Sequence, residues 1–194
     1  MDYAVLTVRW ALAGIFLVSA LAKVRAFPDT LEMVRPLLTR AGRALGRVRK
    51  APPGPGTSGR GFARRFTRPA ALLLVTAEAA TGLALLGPRQ TAGPGLAAAA
   101  VLTAGFTALA VLATVARTEV RCACFGRPTA RLGRRHVVRN GFLLALACLG
   151  CWGPGAAGVL SAAVPALVVC ATAAVVVTAV TAFYDDIVDL LKIS

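Results

Sequence analysis

The sequence is poor in charged residues, and acidic residues are especially scarce. Only 15% of the 194 residues are charged, against roughly a quarter in a typical soluble protein, while 57% are hydrophobic and the mean hydropathy is +0.72. This composition excludes an ordinary soluble domain and predicts an integral membrane protein. The abundance of Ala, Arg, Gly and Pro beside scarce Lys indicates a GC-rich bacterial genome.

The motifs of common soluble enzymes are also missing. The chain has one histidine, His136, and has no HExxH motif, no glycine-rich phosphate loop and no plausible Ser, His and Asp set. A closed zinc site needs four ligands, whereas Cys122, Cys124 and His136 make three at most, so we expect no metal site. The net charge of +14 comes without a recognition motif, so we expect no nucleic-acid partner.

Apolar stretches long enough to cross a bilayer predict an all-α fold, a polytopic membrane helix bundle with four to five transmembrane helices. We expect these helices at about 4–22, 70–87, 96–116, 137–152 and 158–184. The first apolar run is followed by Lys23 and Arg25 rather than by a cleavage site, so we expect the first helix to stay in the membrane. The whole chain, 1–194, is expected to form a single domain.

The last two helices are expected to form a hairpin. Residues 141–184 contain no charged residue, and this run is too long for one crossing. Gly153, Pro154 and Gly155 interrupt it and predict the turn. Pro165 is expected to kink the fifth helix without breaking it.

Basic residues are unevenly distributed between the predicted helices. We number the connections between the five predicted helices from one to four. The first connection and its ends carry twelve Lys and Arg, from Lys23 to Arg68, and the third carries seven, from Arg117 to Arg139. The second connection has only Arg89, and the fourth has none. The positive-inside rule then predicts a multi-pass protein of the cell (plasma) membrane with its N-terminus outside and its third connection in the cytoplasm.

The first connection contains a basic insertion, at about 31–68, with two parts. Apolar and basic residues alternate at helical spacing up to residue 48, which predicts an interfacial helix on anionic lipid whose length Pro36 limits. Residues 51–59 are rich in Pro and Gly and are expected to form a flexible linker.

Two cysteines, Cys122 and Cys124, lie in the third connection. One residue separates them, so their Cα atoms can reach disulfide distance, and the small ring should strain the bond and ease its reduction. Arg121 and Arg127 supply positive potential that favours the nucleophilic thiolate. The pattern predicts thiol–disulfide chemistry at a membrane surface; the alternative is two ordinary loop cysteines.

A second cysteine pair, Cys148 and Cys151, shares one face of the fourth predicted helix. Dithiols on both sides of a membrane would suit electron transfer across it. Plain packing is the favoured interpretation of this pair, and still more of the isolated Cys170, because cysteine is a small apolar residue that suits buried helices.

Glu78 lies near the middle of the second predicted helix, where an ionisable group is costly and needs a partner or a proton. Lys23 and Arg9 are the candidate partners, and a structural ion pair is slightly favoured over a functional site. Arg139 and Asn140 open the fourth predicted helix, where they could hold a thiolate or an anionic headgroup. An anchor at the membrane interface is an equal alternative.

The sequence resembles the MauE family of methylamine-utilisation membrane proteins, within the wider DoxX-like group of redox-associated membrane proteins. The resemblance covers about residues 3–152, and it runs through residues 16–23 of the first helix, Glu78 and Gly82 of the second, residues 122–126, and Arg139 with Asn140. The Cys-Ala-Cys-Phe-Gly signature at 122–126 is its specific part. The long basic insertion departs from the compact family pattern.

This resemblance implies a small helical bundle that supports disulfide formation in, or maturation of, exported proteins, often beside a thioredoxin-like partner. The leading hypothesis is a membrane thiol–disulfide oxidoreductase that uses Cys122 and Cys124, with Arg121, Arg127 and Arg139 tuning the thiolate. A quinone could lodge in the bundle, and no other cofactor is expected. The alternatives are a non-catalytic assembly factor or scaffold and, more weakly, small-molecule transport near Glu78.

Overall fold

The computed structural model describes residues 2–48, 59–115, 134–152 and 164–184. Within these ranges the chain forms helices and no β-strand. The helices are α1 (Asp2–Arg25), α2 (Phe27–Val48), α3 (Gly59–Leu86), α4 (Arg89–Val115), α5 (Arg134–Trp152) and α6 (Val164–Ala182). The predicted all-α fold is confirmed.

Four of these helices are long and apolar enough to cross a bilayer. The candidate spans are Tyr3–Arg25, Arg60–Leu86, Gln90–Leu112 and Val164–Ala182, and α5 has a shorter apolar segment, His136–Cys151. Large apolar side chains face outward along the spans, among them Leu73, Val101 and Val175, which are 70%, 71% and 67% exposed. So much exposed apolar surface fits contact with lipid. The chain is a multi-pass membrane protein, as predicted.

Helix α1 lies at the centre of the bundle, because it contacts each of the other five helices. Its residues Leu12, Ala13, Ile15 and Phe16 are buried in the apolar core. Small side chains allow its neighbours to approach closely, as is common in membrane bundles. At Gly14, for example, an added Cβ would lie 2.7 Å from Thr178 Oγ1 of α6.

Arg9 of α1 holds the junction between α3 and α4. Its side chain is buried, its Nε donates a hydrogen bond to the carbonyl of Leu85, and its Nη2 donates to the carbonyl of Gly87. Carbonyls at a helix C-terminus have no partner within the helix. Arg9 therefore caps α3, and this role separates it from Glu78, for which it was a candidate partner.

The first connection is more helical than the sequence predicted. The expectation that Pro36 limits the amphipathic helix is wrong, since α2 runs through it from Phe27 to Val48. Proline leaves the carbonyl four positions earlier without its partner. That carbonyl belongs to Glu32, which is exposed, so water can take the place of the missing donor.

Helix α3 begins earlier than the predicted second span. Residues 59–68, which were expected to belong to the insertion, form its first turns. Helix α2 packs against α3, and Thr30 and Val34 on α2 are buried, as are Ala63 and Thr67 on α3. Tertiary packing of this kind stabilises helical turns that composition alone leaves uncertain.

Pro165 does not kink the described part of α6. Within the described residues this helix begins at Val164, so Pro165 lies in its first turn, where a missing backbone N–H costs no hydrogen bond. Residues 158–163, with which the fifth predicted helix began, lie outside the described residues.

Candidate functional site

Three helices bring polar side chains together inside the bundle. Helix α1 contributes Ser19 and Lys23, α3 contributes Glu78, and α5 contributes Arg139 and Asn140. We call these five residues the buried polar cluster. Thr103 and Phe106 of α4 complete the wall around it.

Lys23 and Glu78 form the centre of the buried polar cluster. The Nζ atom of Lys23 lies 2.8 Å from each carboxylate oxygen of Glu78, and both side chains are 0% exposed. Lys23 also donates to Ser19 Oγ at 2.6 Å, and Ser19 Oγ donates to Glu78 Oε2 at 3.3 Å. Two buried charges offset their loss of hydration only when they are paired and hydrogen-bonded in this way.

The pairing decides between the two partners predicted for Glu78. Lys23 and Ser19 are four residues apart, so they occupy one face of α1 opposite α3. The ammonium of Lys23 also lies 5.6 Å from the ring centre of Phe106, within cation–π range. Lys23, rather than Arg9, is therefore the partner of Glu78.

Arg139 and Glu78 line the same small cavity. Its volume is about 30 Å³, and its wall also includes Ile15, Phe16 and Leu143. A cavity of this size can hold a water molecule, whereas a single aromatic ring needs on the order of 150 Å³. Bound water is therefore its natural occupant, and a quinone ring would not fit without movement of its walls.

Two of the ionisable side chains of the buried polar cluster are basic and one is acidic. Lys23 is paired with Glu78. Arg139 is 5% exposed, so its guanidinium lies mostly out of water, on the cavity wall that it shares with Glu78. A charge in such a place acts more strongly on neighbouring groups than it would at the surface.

The buried polar cluster lies near the end of the bundle to which the third connection is attached. Helix α5 begins at Arg134, five residues before Arg139, which is a rise of roughly 7.5 Å. His136 is buried three residues before Arg139, on the same helix face. The predicted thiol site lies in that connection, outside the described residues. It consists of Cys122 and Cys124 with Arg121 and Arg127.

The other cysteines lie apart from the buried polar cluster. Cys148 and Cys151 are both exposed on the outer face of α5 toward its C-terminus, so neither is packed into the core. Cys170 of α6 is buried, and its Sγ donates to the carbonyl of Tyr3 at 3.6 Å. Within the described ranges, no cluster of three or more His, Cys, Asp or Glu side chains could hold a metal ion.

Sequence reasoning singled out four members of the buried polar cluster and missed Ser19. Its spacing of four residues from Lys23 was the available signal, because that spacing places both side chains on one helix face. His136 was considered only as a metal ligand, and its burial beside Arg139 depends on how α5 is rotated. Neither composition nor spacing determines that rotation.

The family model of the methylamine utilisation protein MauE matches residues 57–153, which is half of the chain. The chain belongs to the MauE family. The matched segment includes α3, α4 and α5, and hence Glu78, Arg139 and Asn140 of this MauE family member. Helix α1 with Ser19 and Lys23 lies outside the match, so the resemblance in that helix stays a prediction. Searches of curated proteins and of solved structures found no match.

Proposed function

We propose that this MauE family protein is a membrane thiol–disulfide redox protein in which Cys122 and Cys124 cycle between a dithiol and a disulfide. It would support disulfide formation in, or maturation of, partner proteins, in a methylamine utilisation system as the family name implies. The observation that supports this most is the position of Arg139, which lies in the buried polar cluster near the end of the bundle where the third connection joins α5.

The electrostatic argument concerns the thiolate, which is the form of cysteine that attacks a disulfide. A thiolate near Arg139 would be stabilised by the positive guanidinium of that residue, while Lys23 stays paired with Glu78. Cys124 is ten residues from Arg134, and an extended chain of that length spans up to roughly 33 Å. The third connection is therefore long enough to bring either thiol to the N-terminal end of α5.

The exchange would proceed through a mixed disulfide. A thiolate of the partner attacks one sulfur of the Cys122–Cys124 disulfide, and the other cysteine leaves as a thiolate. The second partner thiolate then attacks the mixed disulfide and releases the first cysteine. The partner loses two electrons and two protons, the cysteine pair gains them, and a thioredoxin-like protein in its disulfide form would restore the pair by the reverse exchange.

Orientation follows from the distribution of charge. Basic residues collect at one end of the bundle. This end includes the end of α1 with Lys23 and Arg25, the basic residues of α2, the first turns of α3 and the start of α5. By the positive-inside rule we propose that this end, together with Cys122 and Cys124, faces the cytoplasm, with the N-terminus outside. The thioredoxin-like partner would then be a cytoplasmic carrier rather than an exported substrate.

Single serine variants test the proposed exchange. Cys122→Ser or Cys124→Ser leaves one thiol that can form a mixed disulfide and no second thiol to resolve it, so we expect one of them to accumulate a covalent adduct on non-reducing gels. The adduct should disappear after reduction and should contain a thioredoxin-like protein by mass spectrometry.

Cys148→Ser is the matched control, because it also removes one thiol of a closely spaced pair. It should give no adduct. Full function of the Cys122→Ser, Cys124→Ser double variant, with no adduct from either single variant, would contradict the redox role.

A non-catalytic assembly factor is the second candidate, and the complete burial of Lys23 and Glu78 favours it. A pair without solvent access, beside a cavity of about 30 Å³, suits a fixed scaffold as well as a reactive site. Copurification of a partner with the double serine variant, in the same amount as with the wild type, would favour this role. Transport near Glu78 gains no support from so small a cavity.

A further inference from the structure

A second site lies between α2 and the first turns of α3, away from the buried polar cluster. The two helices enclose a groove of about 440 Å³, within the range of ligand sites. We call it the arginine groove. Its walls are formed by Leu31, Arg35, Thr39, Arg60, Ala63, Arg64, Thr67 and Arg68.

The charge of the arginine groove has one sign. Among the described residues, four guanidinium groups and no carboxylate line it. The acidic residues of α2, Asp29 and Glu32, are not part of its wall, and Glu78 of α3 is paired with Lys23. In the described ranges none of the four arginines forms an ion pair. Four like charges around one groove repel each other unless an anion lies between them.

The hydrogen-bonding groups of the arginine groove also fit an anion. Thr39 Oγ1 donates to the carbonyl of Arg35 at 2.9 Å, and Thr67 Oγ1 donates to the carbonyl of Ala63 at 2.6 Å. Both hydroxyl protons are thus used within their own helices. The guanidinium N–H groups remain as the donors for a ligand, and their planar fork matches the oxygen atoms of a phosphate group.

We propose that the arginine groove binds a phosphate group. The sequence just beyond the groove favours a lipid as its source, because Arg68 is followed by Leu72 and Leu73, which are 54% and 70% exposed. The change from arginine to exposed leucine marks the level where a headgroup meets acyl chains. A phosphate of an anionic lipid would then lie between α2 and α3, with its chains along the leucines.

The test compares two triple variants of the full chain, purified in neutral detergent. Arg35→Gln, Arg64→Gln, Arg68→Gln removes three charges from the arginine groove. Arg40→Gln, Arg43→Gln, Arg65→Gln removes three exposed charges from the same two helices outside it, so both variants have the same net charge. Binding is measured to vesicles of phosphatidylglycerol in phosphatidylcholine and to phosphatidylcholine alone, with inorganic phosphate as a competitor.

We expect the groove variant to bind phosphatidylglycerol vesicles about 100-fold more weakly than the wild type, and the control variant less than about tenfold more weakly. Unchanged binding in the presence of millimolar phosphate would support the lipid as the ligand. Competition by phosphate, lost only in the groove variant, would support the same site with free phosphate as its ligand. Equal weakening of both variants would overturn the proposal, because a general surface charge would then explain the binding.

A second measurement keeps the test valid if binding is weak. Removal of three mutually repelling charges should raise the Tm of the lipid-free groove variant relative to the control variant, while added phosphatidylglycerol should raise the Tm of the control variant more. An identical response of the two variants would overturn the proposal. Neither readout involves cysteine, so the result is independent of the thiol chemistry proposed above.

Discussion

Lys23 and Glu78 depend on each other, because each would be an unpaired charge in the bundle interior without its partner. We expect Glu78→Gln to lower the free energy of unfolding by about 3–5 kcal/mol, since it leaves the ammonium of Lys23 buried and uncompensated. Thermal unfolding in detergent measures the effect. Glu32→Gln on the exposed side of α2 is the control and should change stability by less than about 0.5 kcal/mol.

The double variant Lys23→Met, Glu78→Gln separates pairing from simple loss of a side chain. Methionine has a similar length and no charge, so we expect the double variant to recover most of the stability that Glu78→Gln loses. If the double variant is less stable than Glu78→Gln, the two residues do not act as a pair.

The need of Glu78 for a partner could be predicted from the sequence, but the choice between Lys23 and Arg9 could not. A charged residue within an apolar helix requires compensation wherever the helix lies. Which residue supplies it depends on the axial offset between α1 and α3, and apolar helices can pack at several such offsets. The structure fixes the offset by placing Arg9 at the C-terminus of α3 and Lys23 beside Glu78.

At the scale of the helices, close contact between α1 and α3 depends on Gly82. A Cβ at this position would lie 2.7 Å from Leu17 Cγ and 3.2 Å from the carbonyl oxygen of Ala13, which leaves no room for a methyl group. Glycine in α3 therefore sets the distance between the two helices that carry Lys23 and Glu78.

We expect Gly82→Ala to be about 1–3 kcal/mol less stable than Gly105→Ala, because the added methyl group overpacks the contact. At Gly105 an added Cβ meets nothing within 4 Å, so this variant corrects for the gain in helix propensity that both substitutions share. Thermal unfolding of the two variants, side by side, measures the difference. Equal stabilities would show that α1 and α3 can separate at no cost.

Helix boundaries depend partly on the local sequence and partly on tertiary packing. Hydrophobic windows predicted the spans, and alternating apolar and basic residues predicted a helix in the first connection. The extension of α2 to Phe27, and of α3 to Gly59, could not be predicted, since the two helices stabilise each other by packing. Pro36 was misleading because the carbonyl that loses its donor belongs to Glu32, an exposed residue, where water can replace the missing hydrogen bond.

At the scale of the whole molecule, positive charge collects at one end of an otherwise apolar bundle. The arginine groove, the buried polar cluster and the start of α5 all belong to this end. Under the proposed orientation, the positive-inside rule would place this basic end on the cytoplasmic side, where anionic lipid attracts basic residues. The proposed thiol chemistry and the proposed phosphate site would thus share one membrane surface.

Thiol labelling in whole cells tests the central claim most directly. A variant that lacks Cys148, Cys151 and Cys170 keeps only Cys122 and Cys124, and each labelled thiol gives a gel shift with a large maleimide. We expect labelling only after reduction, which would show that the pair forms a disulfide in the cell. With a reagent that cannot cross the membrane, we expect labelling only in permeabilised cells, which would place the pair in the cytoplasm. Free thiols under every growth condition would contradict a redox role for the pair.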